Sequence, residues 1–319
     1  MKSILIPSIV FDDITASLTG TPLQVELLRY DENETPVDGA THADAVFRWI
    51  AGKRFSTLVD QGTSIRWLHT ASAGVDHVLT PAVKGRKGIV VTDSGPAFGP
   101  AIAEFVLASM LSFARRLPEL SSNQTAHRWQ HVDQRELMGA TIGIIGLGPI
   151  GQAIAERAKA FGMKTIGLRR SQKPAEFVDE ITIGADGLGR TSAEADYVVL
   201  AAALTGETNH LIGAEQLAMM KPDALLINIA RGGIVDEAAL INALTNGRIG
   251  GAVLDVFSKE PLPTESPLWE MPNVFISPHH SGGGSPGLRQ RQIDIFLDNL
   301  RRYCNGDQLL NQVDIDRGY

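Results

Sequence analysis

At 319 residues the chain exceeds what one hydrophobic core usually serves, so its length points to two domains. A composition of 44% hydrophobic and 20% charged residues is that of a globular protein and excludes disorder as the main theme. The net charge of -7 excludes a general nucleic-acid or anionic-membrane surface, which would need a basic footprint, and the single cysteine, Cys304, excludes an internal disulfide and fits a reducing compartment.

In chain order, the opening MKSILIPSIVFDD meets Pro7 and two aspartates too soon for a signal peptide and reads as a buried first strand. No apolar segment reads as reaching the roughly 20 residues of a bilayer span, so the expected address is the cytoplasm, with no membrane partner. The first third alternates short apolar runs, SILIPSIV, QVELLRY, AVFRW, IRWLHT and GIVVT, with turn-rich or amphipathic pieces. PAIAEFVLASMLSFARRL then reads as a long apolar helix starting near Pro100, too apolar all round for a surface helix. A connection bearing Trp129 and His131 leads to a second series of strands: TIGIIGL, KTIGLRR, YVVLAAA, ALLINIA, GAVLDVF and VFISP. Helical segments GPIGQAIAERAKAFG, GAEQLAMM and DEAALINALTNG lie between them, and a last helix runs from Pro286 to about Gly306. Such alternation is the signature of an α/β architecture with mostly parallel sheets. The two long helices flank the second series, which implies a discontinuous first domain, 1–98 with 285–319, and an uninterrupted second, 99–284.

Gly146, Gly148 and Gly151 spell G-x-G-x-x-G between a strand and an amphipathic helix that opens with Pro149 and Ile150. In that context the glycines give a tight turn, close approach to a pyrophosphate, and close helix–sheet packing, while the helix start favours phosphate charge. An NAD site usually shows an Asp or Glu about 20 residues further on, for the ribose hydroxyls. Here Arg169, Arg170 and Ser171 stand instead. A carboxylate would repel a 2′-phosphate and a guanidinium fork binds one, so the expected cofactor is NADP, with NADPH preferred over NADH.

Through GLGPIG, INIARGGIVDEAAL, GAVLDVFSKEPLP and ISPHHSGG, the chain resembles the D-2-hydroxyacid dehydrogenases, the family that includes formate dehydrogenase, phosphoglycerate dehydrogenase and glyoxylate/hydroxypyruvate reductase. The match is most specific over residues 140–285 and looser in the first domain, and the Arg-Arg-Ser loop is most similar to the NADPH-preferring glyoxylate/hydroxypyruvate branch. The resemblance implies two doubly wound Rossmann-like domains with parallel sheets, joined by two crossing helices. Residues 1–98 and 285–319 would be the substrate (catalytic) domain and 99–284 the dinucleotide-binding domain.

Carried over residue by residue, the family's catalytic Arg, Glu and His fall on Arg231, Glu260 and His279. Arg231 would bind the substrate carboxylate and polarise its carbonyl; His279 would protonate the developing alkoxide; Glu260 would orient the imidazole and stabilise its charged form. The Ser/Thr-Pro-His pattern selects His279 over its neighbour His280. The resemblance further implies cofactor contacts from Thr205, Ala230, Asp255 and Gly282, and substrate contacts from Trp49, Ala73, Gly74 and Val75 besides Arg231 and His279. Ala203 replaces the family's usual proline, and Asp93 stands where relatives often have Asn. No metal site is read, because no Cys or His cluster has ligand spacing. The implied activity is NADPH-dependent reduction of a small 2-oxo acid, glyoxylate or hydroxypyruvate, by a homodimer contacting its copy near Trp129, with no nucleic-acid partner. The alternatives are a reductase of bulkier 2-oxo acids and a dinucleotide-sensing, corepressor-like binding protein on the same fold.

Overall fold

The computed structural model describes residues 1–31, 42–49, 59 and 62–319. The chain divides into two compact units, Met1–Phe98 with Ser285–Tyr319, and Gly99–Gly284. The first contains β1 (Lys2–Pro7), α1 (Ser8–Leu18), β2 (Val25–Tyr30), β3 (Ala45–Arg48), β4 (Trp67–Thr70), α2 (Pro81–Gly85) and β5 (Val90–Asp93). The helix α3 (Gly95–Ala114) begins in the first unit and continues in the second. There follow α4 (Leu117–Thr125), β6 (Thr141–Ile145), α5 (Pro149–Ala160), β7 (Lys164–Leu168), β8 (Glu180–Thr182), α6 (Gly184–Glu194), β9 (Tyr197–Leu200) and α7 (Ala214–Met219). The second unit closes with β10 (Leu225–Asn228), α8 (Glu237–Thr245), β11 (Gly251–Leu254) and β12 (Val274–Ile276), and α9 (Pro286–Asn305) returns to the first.

The first unit is a parallel five-stranded sheet in the order β2-β1-β3-β4-β5, a doubly wound arrangement. Its inner strands β1, β3 and β4 are buried on both faces, as a parallel sheet covered on both sides requires, while the edge strand β2 exposes Glu26 and Arg29. Leu5, Val46, Leu68 and Val91 point into one core, while Ile4, Ile6, Ala45, Phe47 and Trp67 point into the other. In the second core Phe296 of α9 stacks on Phe47 at 4.2 Å and on Trp67 at 5.5 Å. The second unit is a parallel seven-stranded sheet, β12-β11-β10-β9-β6-β7-β8. This is the other doubly wound order, extended by one strand.

Three of the local outcomes that differ from the sequence reading bear on the fold. SILIPSIV is not one strand: β1 stops at Pro7, and Val10 and Ile14, one helical turn apart, become the buried face of α1. The pair β8 and α6 was not read at all, because the strand has three residues at a sheet edge and the helix carries three glycines. Gly187 is one of them, and a Cβ there would press to 3.0 Å on Thr182 of β8. The third is α3, which begins five residues before Pro100, so the proline sits inside the helix. With 20 residues and a mean hydropathy of 1.6, it is long and apolar enough by length and composition to cross a membrane. That corrects the expectation that no segment reaches this length; half of the stretch is buried within the protein, as in a core helix.

Candidate active site

In the second unit the order of strands reverses at β6, which pairs with β7 on one side and β9 on the other. Ligands of open parallel sheets bind outside the carboxyl ends of the strands at such a switch point. The turn after β6 is built by its glycines. Gly146 has φ +103°, and a Cβ there would stand 2.6 Å from the Ala202 amide nitrogen. A Cβ on Gly151 would overlap the Gly146 carbonyl oxygen, so only glycine lets α5 seat against the turn. Gly148, the N-cap of α5, differs: no atom lies within 4 Å of its Cβ position. That open space adjoins the helix start, where N–H groups lack intrahelical partners, and it fits a dinucleotide pyrophosphate. Pro149 opens the helix without needing a partner for an N–H, and the half-buried Ile150 follows it.

The loop after β7 carries the two arginines. Arg169 donates from Nη1 to the Lys173 carbonyl at 3.2 Å, and Arg170 pairs through Nη2 with Glu207 Oε2 at 2.7 Å. Ser171 is exposed beside them. Glu207 belongs to the loop after β9, where Ala203 stands in place of a proline. That loop is closed by Thr208, whose hydroxyl donates to the Ala203 carbonyl at 2.6 Å and accepts from the Thr205 amide at 2.8 Å.

Arg231, Glu260 and His279 come from the ends of β10, β11 and β12. The turn after β10 is pinned by Asn228, whose buried side chain accepts from Ala230 N at 3.1 Å and donates to the Arg231 carbonyl at 3.0 Å. The Arg231 guanidinium donates back to the Ala230 carbonyl at 2.7 Å. A Cβ on Gly232 would overlap the Phe257 carbonyl group, so this glycine lets the Arg231 turn lie against the segment that carries Glu260. Glu260 uses one oxygen to accept from the Phe257 amide at 3.0 Å and the other to meet His279 Nδ1 at 2.8 Å. A carboxylate only accepts, so Nδ1 carries the hydrogen of that bond and Nε2 is the ring nitrogen left for chemistry.

His279 has φ +54°, a left-handed conformation that a non-glycine residue rarely adopts. Asp255 holds it there. Its backbone carbonyl accepts from His279 N at 2.8 Å, and its buried carboxylate accepts from His280 N at 2.7 Å, Ser281 N at 3.0 Å and the Ser281 hydroxyl at 2.5 Å. Asp255 therefore fixes three successive residues of the histidine loop. The His280 ring covers Gly283 and Gly284, next to Gly282: a Cβ on Gly283 would stand 2.6 Å from its Nδ1. Among the described residues no group of three or more His, Cys, Asp or Glu is arranged to hold a metal ion.

In the first unit, Ala73 and Gly74 lie half-buried in the loop after β4, and the Val75 side chain is buried in the core, so Val75 offers that loop only its backbone. The Ser72 hydroxyl donates to the Gly74 carbonyl at 2.9 Å, which shapes the turn. Trp49 stands edge-on to Phe47 at 5.7 Å, with the Arg289 guanidinium 5.4 Å from its ring centre. Beneath these residues His69 is fully buried between Thr92 Oγ1 at 2.7 Å and Ser94 Oγ at 3.0 Å, and burial pushes its pKa down to about 3. It is a neutral, structural histidine.

Sequence reasoning missed Asn228, Gly232 and Glu207. The first two sit in INIARGG beside Arg231 and were legible as neighbours of it; Glu207 had no local signal.

The family model for the D-isomer specific 2-hydroxyacid dehydrogenase NAD binding domain matches residues 107–281. A glyoxylate reductase of Thermococcus gammatolerans is 36% identical over 290 residues, covering 87% of this chain and 86% of that one. A D-isomer specific 2-hydroxyacid dehydrogenase from Xanthobacter autotrophicus, solved with NADPH and MES, superposes with a TM-score of 0.85 at 31% identity, covering 100% of this chain and 99% of that one. An NADPH-dependent glyoxylate/hydroxypyruvate reductase from Sinorhizobium meliloti, solved with NADP and sulfate, gives a TM-score of 0.82 at 28% identity, with the same coverage.

Proposed function

The chain belongs to the D-isomer specific 2-hydroxyacid dehydrogenase family, and from that premise we propose that it is an NADPH-preferring reductase of small 2-oxo acids, glyoxylate or hydroxypyruvate, acting as a cytoplasmic homodimer. It is an oxidoreductase, and the relatives' names support reduction of a 2-oxo acid as its reaction. The observation that carries the proposal is the Glu260–His279 hydrogen bond of 2.8 Å at the carboxyl ends of β11 and β12, in the same sheet as the glycine turn.

The turn of Gly146, Gly148 and Gly151, with Pro149 and Ile150, would hold the dinucleotide phosphates. Arg169, Arg170 and Ser171 would meet a 2′-phosphate, and Thr205, Ala230, Asp255 and Gly282 would flank the rest. When bound there, the nicotinamide cofactor would supply the hydride that the substrate's carbonyl carbon accepts. Arg231 binds the carboxylate of the 2-oxo acid and draws electron density onto its carbonyl oxygen. His279 gives the Nε2 proton to that oxygen as it becomes an alkoxide, and Glu260 stabilises the imidazolium before transfer. Trp49 and the backbone of Ala73, Gly74 and Val75 are the proposed substrate contacts of the first unit. The nearly fully exposed Trp129 is the proposed contact between subunits.

A panel of 2-oxo acids of increasing size, assayed with NADPH and with NADH, tests reaction, substrate and cofactor together. Turnover of glyoxylate or hydroxypyruvate, faster with NADPH, is the expected result. Equal or better use of NADH overturns the cofactor preference. Tight NADPH binding without turnover of any acid overturns the enzymatic reading in favour of a sensor.

A further inference from the structure

We propose that Glu207 weakens the preference for NADPH by competing with the adenosine 2′-phosphate for Arg170, which leaves Arg169 as the readier cation. The proposal rests on the NADPH reading above and concerns how strongly that preference is expressed.

The two arginines are chemically alike but placed differently. Arg169 spends a hydrogen bond on a neutral acceptor, the Lys173 carbonyl, and forms no ion pair among the described residues. Arg170 is engaged by the carboxylate of Glu207 at 2.7 Å. Their loops follow β7 and β9, the two neighbours of β6, so the pair joins the loops of the strands on either side of the one that ends in the glycine turn. The backbone of the loop that carries Glu207 is also held in place. Thr208 closes its loop onto Ala203 and Thr205, the Asn209 amide donates to the Thr205 carbonyl at 3.0 Å, and the His210 amide to the Gly233 carbonyl at 2.8 Å.

Both partners are substantially exposed, 48% for Arg170 and 78% for Glu207, so the pair is weak and can be exchanged. A 2′-phosphate that takes the Arg170 fork must displace this carboxylate and then sit beside it, like charge against like charge. A cofactor with a plain 2′-hydroxyl displaces nothing. Glu207 thus opposes the phosphorylated cofactor specifically, on a site otherwise built for it.

The test is calorimetric binding of 2′,5′-ADP and 5′-AMP to the whole protein and to Glu207→Gln, which keeps the side chain's shape and removes its charge. The variant is expected to bind 2′,5′-ADP about three- to tenfold more tightly, the scale of one like charge near a partly hydrated phosphate, and 5′-AMP unchanged. In an Arg170→Ala background the gain should shrink, since the competition for that guanidinium is gone and only the direct like-charge repulsion remains. If the parent protein prefers 2′,5′-ADP but Glu207→Gln leaves its affinity unchanged, or tightens both nucleotides equally, the role of Glu207 is overturned and the NADPH reading stands. If the parent protein does not distinguish the two nucleotides, the NADPH reading itself falls, and this proposal with it.

Discussion

Asp93 ends β5 and accepts a hydrogen bond from the Gly95 amide at 2.7 Å. Burial raises its pKa from 3.8 to about 6, against the opposing pull of that bond. A folded-state pKa above the unfolded one means that the protonated carboxyl contributes fully below pH 3.8 and that stability is lost as pH rises through 6. At about 1.4 kcal/mol per pKa unit, the loss grows from about 0.5 kcal/mol at pH 4 to about 3 kcal/mol at pH 8. Asp93→Asn keeps the acceptor for Gly95 and never ionises, so it should be nearly neutral at pH 4 and stabilising by up to about 3 kcal/mol at pH 8, less the cost of a partly buried amide. His69 titrates over an overlapping range with the opposite sign: its folded-state pKa is depressed, so its contribution is lost as pH falls below 6.5 towards 3. That term is common to both proteins and cancels in their difference. Chemical denaturation and calorimetric melting of the two across this pH range measure the effect. A difference independent of pH, or one that grows as pH falls, refutes the reasoning.

Three further outcomes follow from the second unit. Gly232→Ala forces a Cβ into the Phe257 carbonyl group, so the Arg231 turn must move away from the Glu260 segment; a displacement of about 1 Å predicts roughly a hundredfold loss in kcat with glyoxylate, with a lowered Tm. An unchanged kcat would show that the close approach is not needed. His279→Asn should lower kcat by about 10²- to 10⁴-fold, and Glu260→Gln, which can keep the hydrogen bond but not the charge, by a smaller factor with KM little changed. Glu260→Gln as damaging as His279→Asn would mean that the carboxylate does more than hold the ring.

What the sequence made legible was whatever closes over a short span or repeats with a period. The apolar runs became strands because two-faced burial in a parallel sheet demands continuous apolar sequence. The glycine turn was legible because its constraints lie within six residues: a Cβ at Gly151 would overlap the carbonyl of Gly146. β8 and α6 were lost for the opposite reason, since the strand has only three residues and the buried face of the helix is Gly187, Leu188, Thr191 and Ser192, with a single large apolar side chain to mark it. The same rule divides the candidate site. Arg231, Glu260 and His279 could be named from motifs, but the 2.8 Å contact between the last two closes across 19 residues and two strand ends, and spacing does not predict it.

The supports of those residues lie further out of reach. Asp255 grips the histidine loop from 24 to 26 residues away, by a carbonyl that any residue would possess and by a carboxylate whose partners, apart from the Ser281 hydroxyl, are backbone N–H groups. Backbone partners leave no trace in a sequence. That grip is what makes a left-handed His279 tolerable: strain of this kind, on the order of 1–3 kcal/mol, persists only where its surroundings over-determine it. The three hydrogen bonds running from consecutive amides to one residue supply that determination. The direction in which the imidazole faces Glu260 is therefore set from β11 as much as from its own strand.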